Sequence, residues 1–187
     1  MSSSDQRTGN PHVTDELCTA ILAAGLWLGV VDADAVVAWA DGEIGRRADV
    51  PPPWLIELSL SKRRHVLDVI AILNEVAGKV DRRAVFAGVC SLLPDLNHYD
   101  FDQCEALARR LYRTAYELFE GDWNCELLAA SDEAADAFEW QRDGCIADTR
   151  DQVAATFRAF VDGLRDDAVR CRLATVSSTA ATPTASD

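Results

Sequence analysis

The chain reads as an all-α protein, an irregular bundle of about seven to eight helices with short loops. Three observations predict this. Apolar residues recur at three- and four-residue steps through most of the 187 residues, while strict alternation is nearly absent. Helix-starting and helix-stopping residues stand at the edges of those runs. No internal repeat of fixed period is found, which favours an irregular bundle over a solenoid.

The elements follow in order. Thr14 is placed to cap a first helix, with Asp15 and Glu16 in its first turn and Gly29 at its end. Asp32 caps the second, whose stripe is Val36, Val37, Ala40 and Ile44; Gly42 and Gly45 weaken its second half. Val50 to Pro52 form a stiff connector, and Pro53 opens a short helix anchored by Trp54, Leu55 and Leu58. Ser61 caps a fourth helix running to about Ala77, closed by Gly78. Its apolar residues (Val66, Leu67, Val69, Ile70, Ile72, Leu73 and Val76) cover more than one face, so it reads as the central helix of the core. A fifth helix runs from Arg82 to Leu93 and stops at Pro94. The sixth has the clearest stripe (Cys104, Leu107, Leu111, Ala115 and Leu118), with Ala108, Tyr112 and Phe119 beside it, and ends at Gly121. "DWNCELLAA" reads as a short helix, after which Ser131 caps "DEAADAFEWQ", ending near Gly144. The last helix runs from about Thr149 to Arg172, with Val153, Phe157, Phe160, Leu164, Ala168 and Cys171 inward and Arg158, Asp162, Asp166 and Arg170 outward. The expected organisation is one helical domain over 13–172, between disordered tails at 1–12 and 173–187 that are too polar or small-residue-rich to bury a core.

The net charge is −13 and unevenly spread. Residues 1–60 carry 3 basic and 9 acidic side chains, 61–120 carry 9 of each, and 121–187 carry 6 and 13. Such a field repels nucleic acid and anionic membranes and leaves two uses, solubility or a basic protein partner. The longest uncharged run, Leu17 to Val31, is short for a membrane span. The residues before it are acidic rather than basic, so it is a poor signal peptide and a cytoplasmic protein is expected. The six cysteines are scattered singly with no C-x-x-C, and they read as reduced thiols, mostly inside helices. Arginine outnumbers lysine 16 to 2 and alanine is abundant, an association with GC-rich bacterial genomes.

Three stretches look like sites. "LPDLNHYDFDQC", Leu93 to Cys104, concentrates carboxylates with His98 and Tyr99. It fails as a calcium loop, because Asp100 stands where the turn glycine belongs and Ala106 where the bidentate Glu belongs. It reads as an interhelical loop, with Asp100 or Asp102 capping the next helix. His98 and Tyr99 are candidates for partner contact, and a metal or enzyme site near His98, Asp100 and Asp102, with Cys104, is the alternative. In "SKRRH", Ser61 to His65, three cations at an expected helix N-terminus oppose the macrodipole and call for acidic neighbours or an anion. The third is acidic: Asp132, Asp136 and Glu139 fall at i, i+4 and i+7, sharing one helix face beside Trp140, a pattern that suits a basic partner or an ordinary solvated face. No catalytic motif appears: there is no G-x-S-x-G, no H-E-x-x-H and no P-loop, and among the histidines His12 falls in the N-terminal tail and His65 in a helix. No cofactor is implied, and an enzyme is less expected than a binding protein.

One segment carries a resemblance. "GVVDADAVVAWADGEI" followed by "PPPWLIELSL", Gly29 to Leu60, resembles the N-terminal helical region of small bacterial all-helical proteins, some of them similar to immunity proteins that neutralise toxin domains. The resemblance implies a helical hairpin, a protein partner and no catalytic residues. The expected function is an acidic helical module that binds a basic protein. A self-associating structural protein is a further alternative.

Overall fold

A computed structural model describes residues 13–122 and 124–177. His12, the expected tail at 1–12 and residues 178–187 of the other expected tail lie outside the described residues. Within them the chain is helical throughout. Seven helices of 11 to 18 residues build the body: α1 (Asp15–Leu28), α2 (Ala33–Arg46), α4 (Val66–Ala77), α5 (Arg82–Leu92), α6 (Phe101–Leu118), α7 (Glu126–Arg142) and α8 (Arg150–Leu164). Three shorter ones fill in: α3 (Pro53–Ser59), α9 (Asp167–Arg172) and α10 (Ala174–Ser177), with a 3₁₀ turn at Leu96–His98. The all-α bundle expected from sequence is what the chain forms.

Local chemistry sets most boundaries. The Thr14 hydroxyl accepts from the Leu17 N–H, and Gly29 adopts a left-handed conformation (φ 68°) that closes α1. The Asp32 carboxylate accepts from Ala35 at 2.7 Å and starts α2. Asp100 and Gln103 form a reciprocal capping box at α6, and Thr149 and Gln152 form another at α8.

The centre of the bundle is α1 rather than the expected α4. Nine of its fourteen residues are buried, and it packs on α4, α5 and α6. The side chains of α4 divide instead: Val69, Ile70, Ile72 and Leu73 are buried, whereas Val66 and Leu67 face solvent. Gly88 of α5 lies against Ile21 of α1, and Gly25 of α1 lies against Leu92 of α5, so the two helices run parallel. The helices α6, α7 and α8 pack on one another and form the other side, joined to α1 and α5 in one continuous apolar core from Cys18 to Val176.

Four further expectations are corrected. Ser61 does not cap α4; its hydroxyl is buried against the Glu57 carbonyl, residues 61–65 form a turn, and His65 is the cap residue. Ser131 does not start a helix; it lies inside the single helix α7 and bonds back to the Leu127 carbonyl. The last long helix breaks after Leu164, because the Asp166 carboxylate caps a separate α9. The folded chain also passes residue 172: Leu173 and Val176 are fully buried, and α10 packs on α2.

Candidate functional site

The α6–α7 seam holds the acidic candidates. Asp132, Asp136 and Glu139 share one face of α7, as their spacing predicts, but that face is turned partly toward α6. Asp132 and Asp136 are half-buried, and both carboxylates act electrostatically on Tyr112 of α6. Burial, and then the neighbouring Asp136 charge, push the Asp132 carboxyl above its ordinary value. Burial, then Asp132, Tyr116 and Asp136, raise the Tyr112 phenol. Tyr112 and Tyr116 meet edge to face at 6.4 Å. Among the described residues, no cationic side chain pairs with Asp132 or Asp136.

Glu139 has another role. It stands 3.6 Å from Arg109, which also reaches the buried carboxylate of Glu105 at 3.1 Å. Arg142 of α7 binds the other oxygen of Glu105 and lies 3.9 Å from Asp102. Arg150 of α8 completes the chain, bonding Asp102 at 2.7 Å and lying 4.2 Å over the Phe101 ring. This network fastens α6, α7 and α8 together at one end of the acidic face. Trp140 is exposed on its flank.

The loop at Leu93–Cys104 is held by helix caps and by arginines from α8. Asp95 caps the 3₁₀ turn through Asn97, and Asp100 caps α6. Arg158 donates to the Tyr99 carbonyl at 2.5 Å, and Arg165 donates to the Leu93 and Pro94 carbonyls. Arg158 was expected on an outer face; this contact turns it inward. His98 is exposed and Tyr99 half-buried. Asp102 pairs with Arg150, and the Cys104 thiol is buried, directed at the Tyr99 carbonyl at 3.9 Å. The suggested ligands therefore face different partners. Among the described residues, no group of three or more His, Cys, Asp or Glu stands together as a metal site.

In the Ser61–His65 turn, Arg64 pairs with Glu57 at 2.7 Å, while Lys62 and Arg63 face solvent. These cations precede the helix as a turn instead of filling its first turn, and the Arg64 charge is offset by Glu57. Cys18, Cys90, Cys104 and Cys125 are buried, and Cys145 and Cys171 are exposed. No described helix is long and apolar enough to cross a membrane.

Sequence reasoning missed the tyrosines opposite Asp132 and Asp136, and the Glu105 network. The four-residue spacing of Tyr112 and Tyr116 is the signal that was there to find. Glu105 carried none, because it lies beside the apolar stripe of α6 like any flanking charge. Comparison with protein-family models, curated proteins and solved structures finds no match to this chain.

Proposed function

We propose that the chain is an acidic helical protein-binding module whose α6–α7 face docks a basic surface of a protein partner. One observation carries the reading. Asp132 and Asp136 stand one helical turn apart, half-buried, without a cationic partner among the described residues. Their mutual repulsion is relieved when a guanidinium or ammonium group settles between them. Tyr112, Tyr116 and Trp140 supply aromatic surface for the carbon stem of such a side chain. The net charge of −13 would steer a basic partner toward the molecule. Neutralisation of a toxin domain is one instance of this class, in keeping with the resemblance of residues 29–60 to immunity-like proteins. His98 and Tyr99 lie on a loop pinned from behind and serve in this reading as a secondary contact. A metal site near His98, Asp100 and Asp102 has less support, since Asp100 caps α6 and Asp102 pairs with Arg150.

The test uses paired baits in lysate of the source organism, wild type and the Asp132→Asn/Asp136→Asn double variant. A basic protein retained stoichiometrically by the wild type, released by salt and lost from the variant supports the reading. Equal retention by both baits removes this face from the account.

A further inference from the structure

Lys62, Arg63 and Arg64 follow one another between α3 and α4, three cations in a chain whose net charge is −13. All seven residues from Lys62 to Asp68 are exposed, the longest such run among the described residues. Little fastens the segment. Among the described residues Lys62 and Arg63 make no ion pair, and Arg64 reaches Glu57 at the surface, where both side chains are close to half exposed. A surface pair of that kind holds weakly. The turn rests on two short bonds: the Arg64 N–H donates to the Ser61 carbonyl, and the Ser61 hydroxyl donates to the Glu57 carbonyl. Leu60, Val66 and Leu67 already face solvent, and of residues 60–68 only Ser61 is buried. The segment therefore opens locally at little loss of apolar contact.

We propose that this turn is a processing site, cut by an endoprotease whose specificity pocket holds a carboxylate and so accepts a basic side chain. In the cut at Arg63–Arg64 the oxygen of a water joins the Arg63 carbonyl carbon and the C–N bond breaks. The Arg64 nitrogen takes the proton and becomes a new amino terminus, and Arg63 ends in a carboxylate. Basic residues at other helix ends are withheld from such an enzyme. Arg47 is tied to Asp15, and Arg165 is held against the Leu93 and Pro94 carbonyls. Arg83 lies within α5, just ahead of the buried Val85 and Phe86. Lys79 is exposed, but the next residue, Val80, packs against the core. After the cut the two pieces stay together, because α1 on one side packs on α4, α5 and α6 on the other and the core spans both. All six cysteines are free, so no disulfide joins the pieces.

This inference does not rest on the α6–α7 reading. The experiment is brief digestion of the native full chain with trypsin, the cuts mapped by intact mass and N-terminal sequencing. Within residues 13–177 the first cut should fall after Lys62, Arg63 or Arg64. The two fragments should comigrate on size exclusion with an unchanged helical circular dichroism spectrum and separate only in denaturant. Subtilisin, which needs no basic residue, should also cut first within residues 60–68, which tests the opening apart from the charge. Lys62→Gln/Arg63→Gln/Arg64→Gln, all at exposed positions, should delay the first tryptic cut within residues 13–177 at least about tenfold and leave the subtilisin cut in place. A first cut elsewhere in that range by either protease, fragments that part without denaturant, or a triple variant nicked by trypsin as fast as the wild type overturns the proposal.

Discussion

The backbone of Gly88 in α5 lies directly on the side chain of Ile21 in α1, so close that a methyl group on Gly88 would stand 2.5 Å from Ile21 Cγ1. Ile21 is fully buried in the core, so any shift it makes must displace other core side chains. This contact lets α5 approach the central helix and fixes their parallel register. Gly88→Ala gains up to about 1 kcal/mol of helix propensity but overpacks the core, at a cost of about 1–3 kcal/mol. The expected outcome is a net loss of roughly 1 kcal/mol or more in denaturant unfolding. Gly163→Ala in α8 is the control: its added methyl meets nothing within 4 Å, so the variant should gain stability by up to about 1 kcal/mol.

Glu105 is buried between Arg109 and Arg142 and ties α6 to α7. Glu105→Gln keeps the shape and removes the charge, leaving two arginines to compete for one neutral amide. Because both arginines are about half exposed, the loss should fall below that of a fully buried pair, at roughly 1–2 kcal/mol. Thermal unfolding of the variant measures it. A stability equal to the wild type would show that the network is solvent-compensated.

Asp15 at the start of α1 receives Arg47 and Arg172, tying α1 to α2 and α9. Burial pushes its carboxyl up, but the hydrogen bonds and charges of the two arginines outweigh this and hold it below the ordinary 3.8. A carboxylate with a lowered folded value stabilises the fold above its unfolded value, and that stability is lost as pH falls through the lowered one. Wild type should therefore lose stability below about pH 4. Asp15→Asn should be roughly 1–2 kcal/mol weaker at neutral pH, with a flatter acid limb. Urea midpoints across pH test both statements.

Burial pushes the Cys18 and Cys90 thiols up to about 12, so neither forms thiolate at neutral pH. Cys104 is raised by burial in the same direction, and Cys125 is buried. A thiol reagent should label Cys145 and Cys171 in the native protein, and all six cysteines only after denaturation. Peptide mapping of the modified sites gives the answer.

Helix ends were legible in the sequence where a polar side chain makes a local bond. Thr14, Asp32 and the Asp100–Gln103 box need only neighbouring backbone, so their spacing is sufficient. Ser131 misled because its hydroxyl is satisfied inside a helix by the Leu127 carbonyl, which leaves a capping residue with nothing to cap. The break after Leu164 was hidden for a different reason. Arg165 is drawn to carbonyls more than seventy residues earlier, and Asp166 both caps α9 through its carboxylate and donates its backbone N–H to the Ser91 hydroxyl. The same division holds at the candidate site. Periodicity places Asp132, Asp136 and Glu139 on one face, but only tertiary packing brings Tyr112 beside the first two and Arg109 beside the third.

Whether Asp132 and Asp136 seat the partner's cation is read from the association rate of the retained basic partner with wild type and with Asp132→Asn/Asp136→Asn, followed as salt is raised. The variant should associate more slowly and with a flatter dependence on salt, because the carboxylates that steer and seat the partner's cation are gone. Rates and salt slopes that coincide for the two proteins would contradict it.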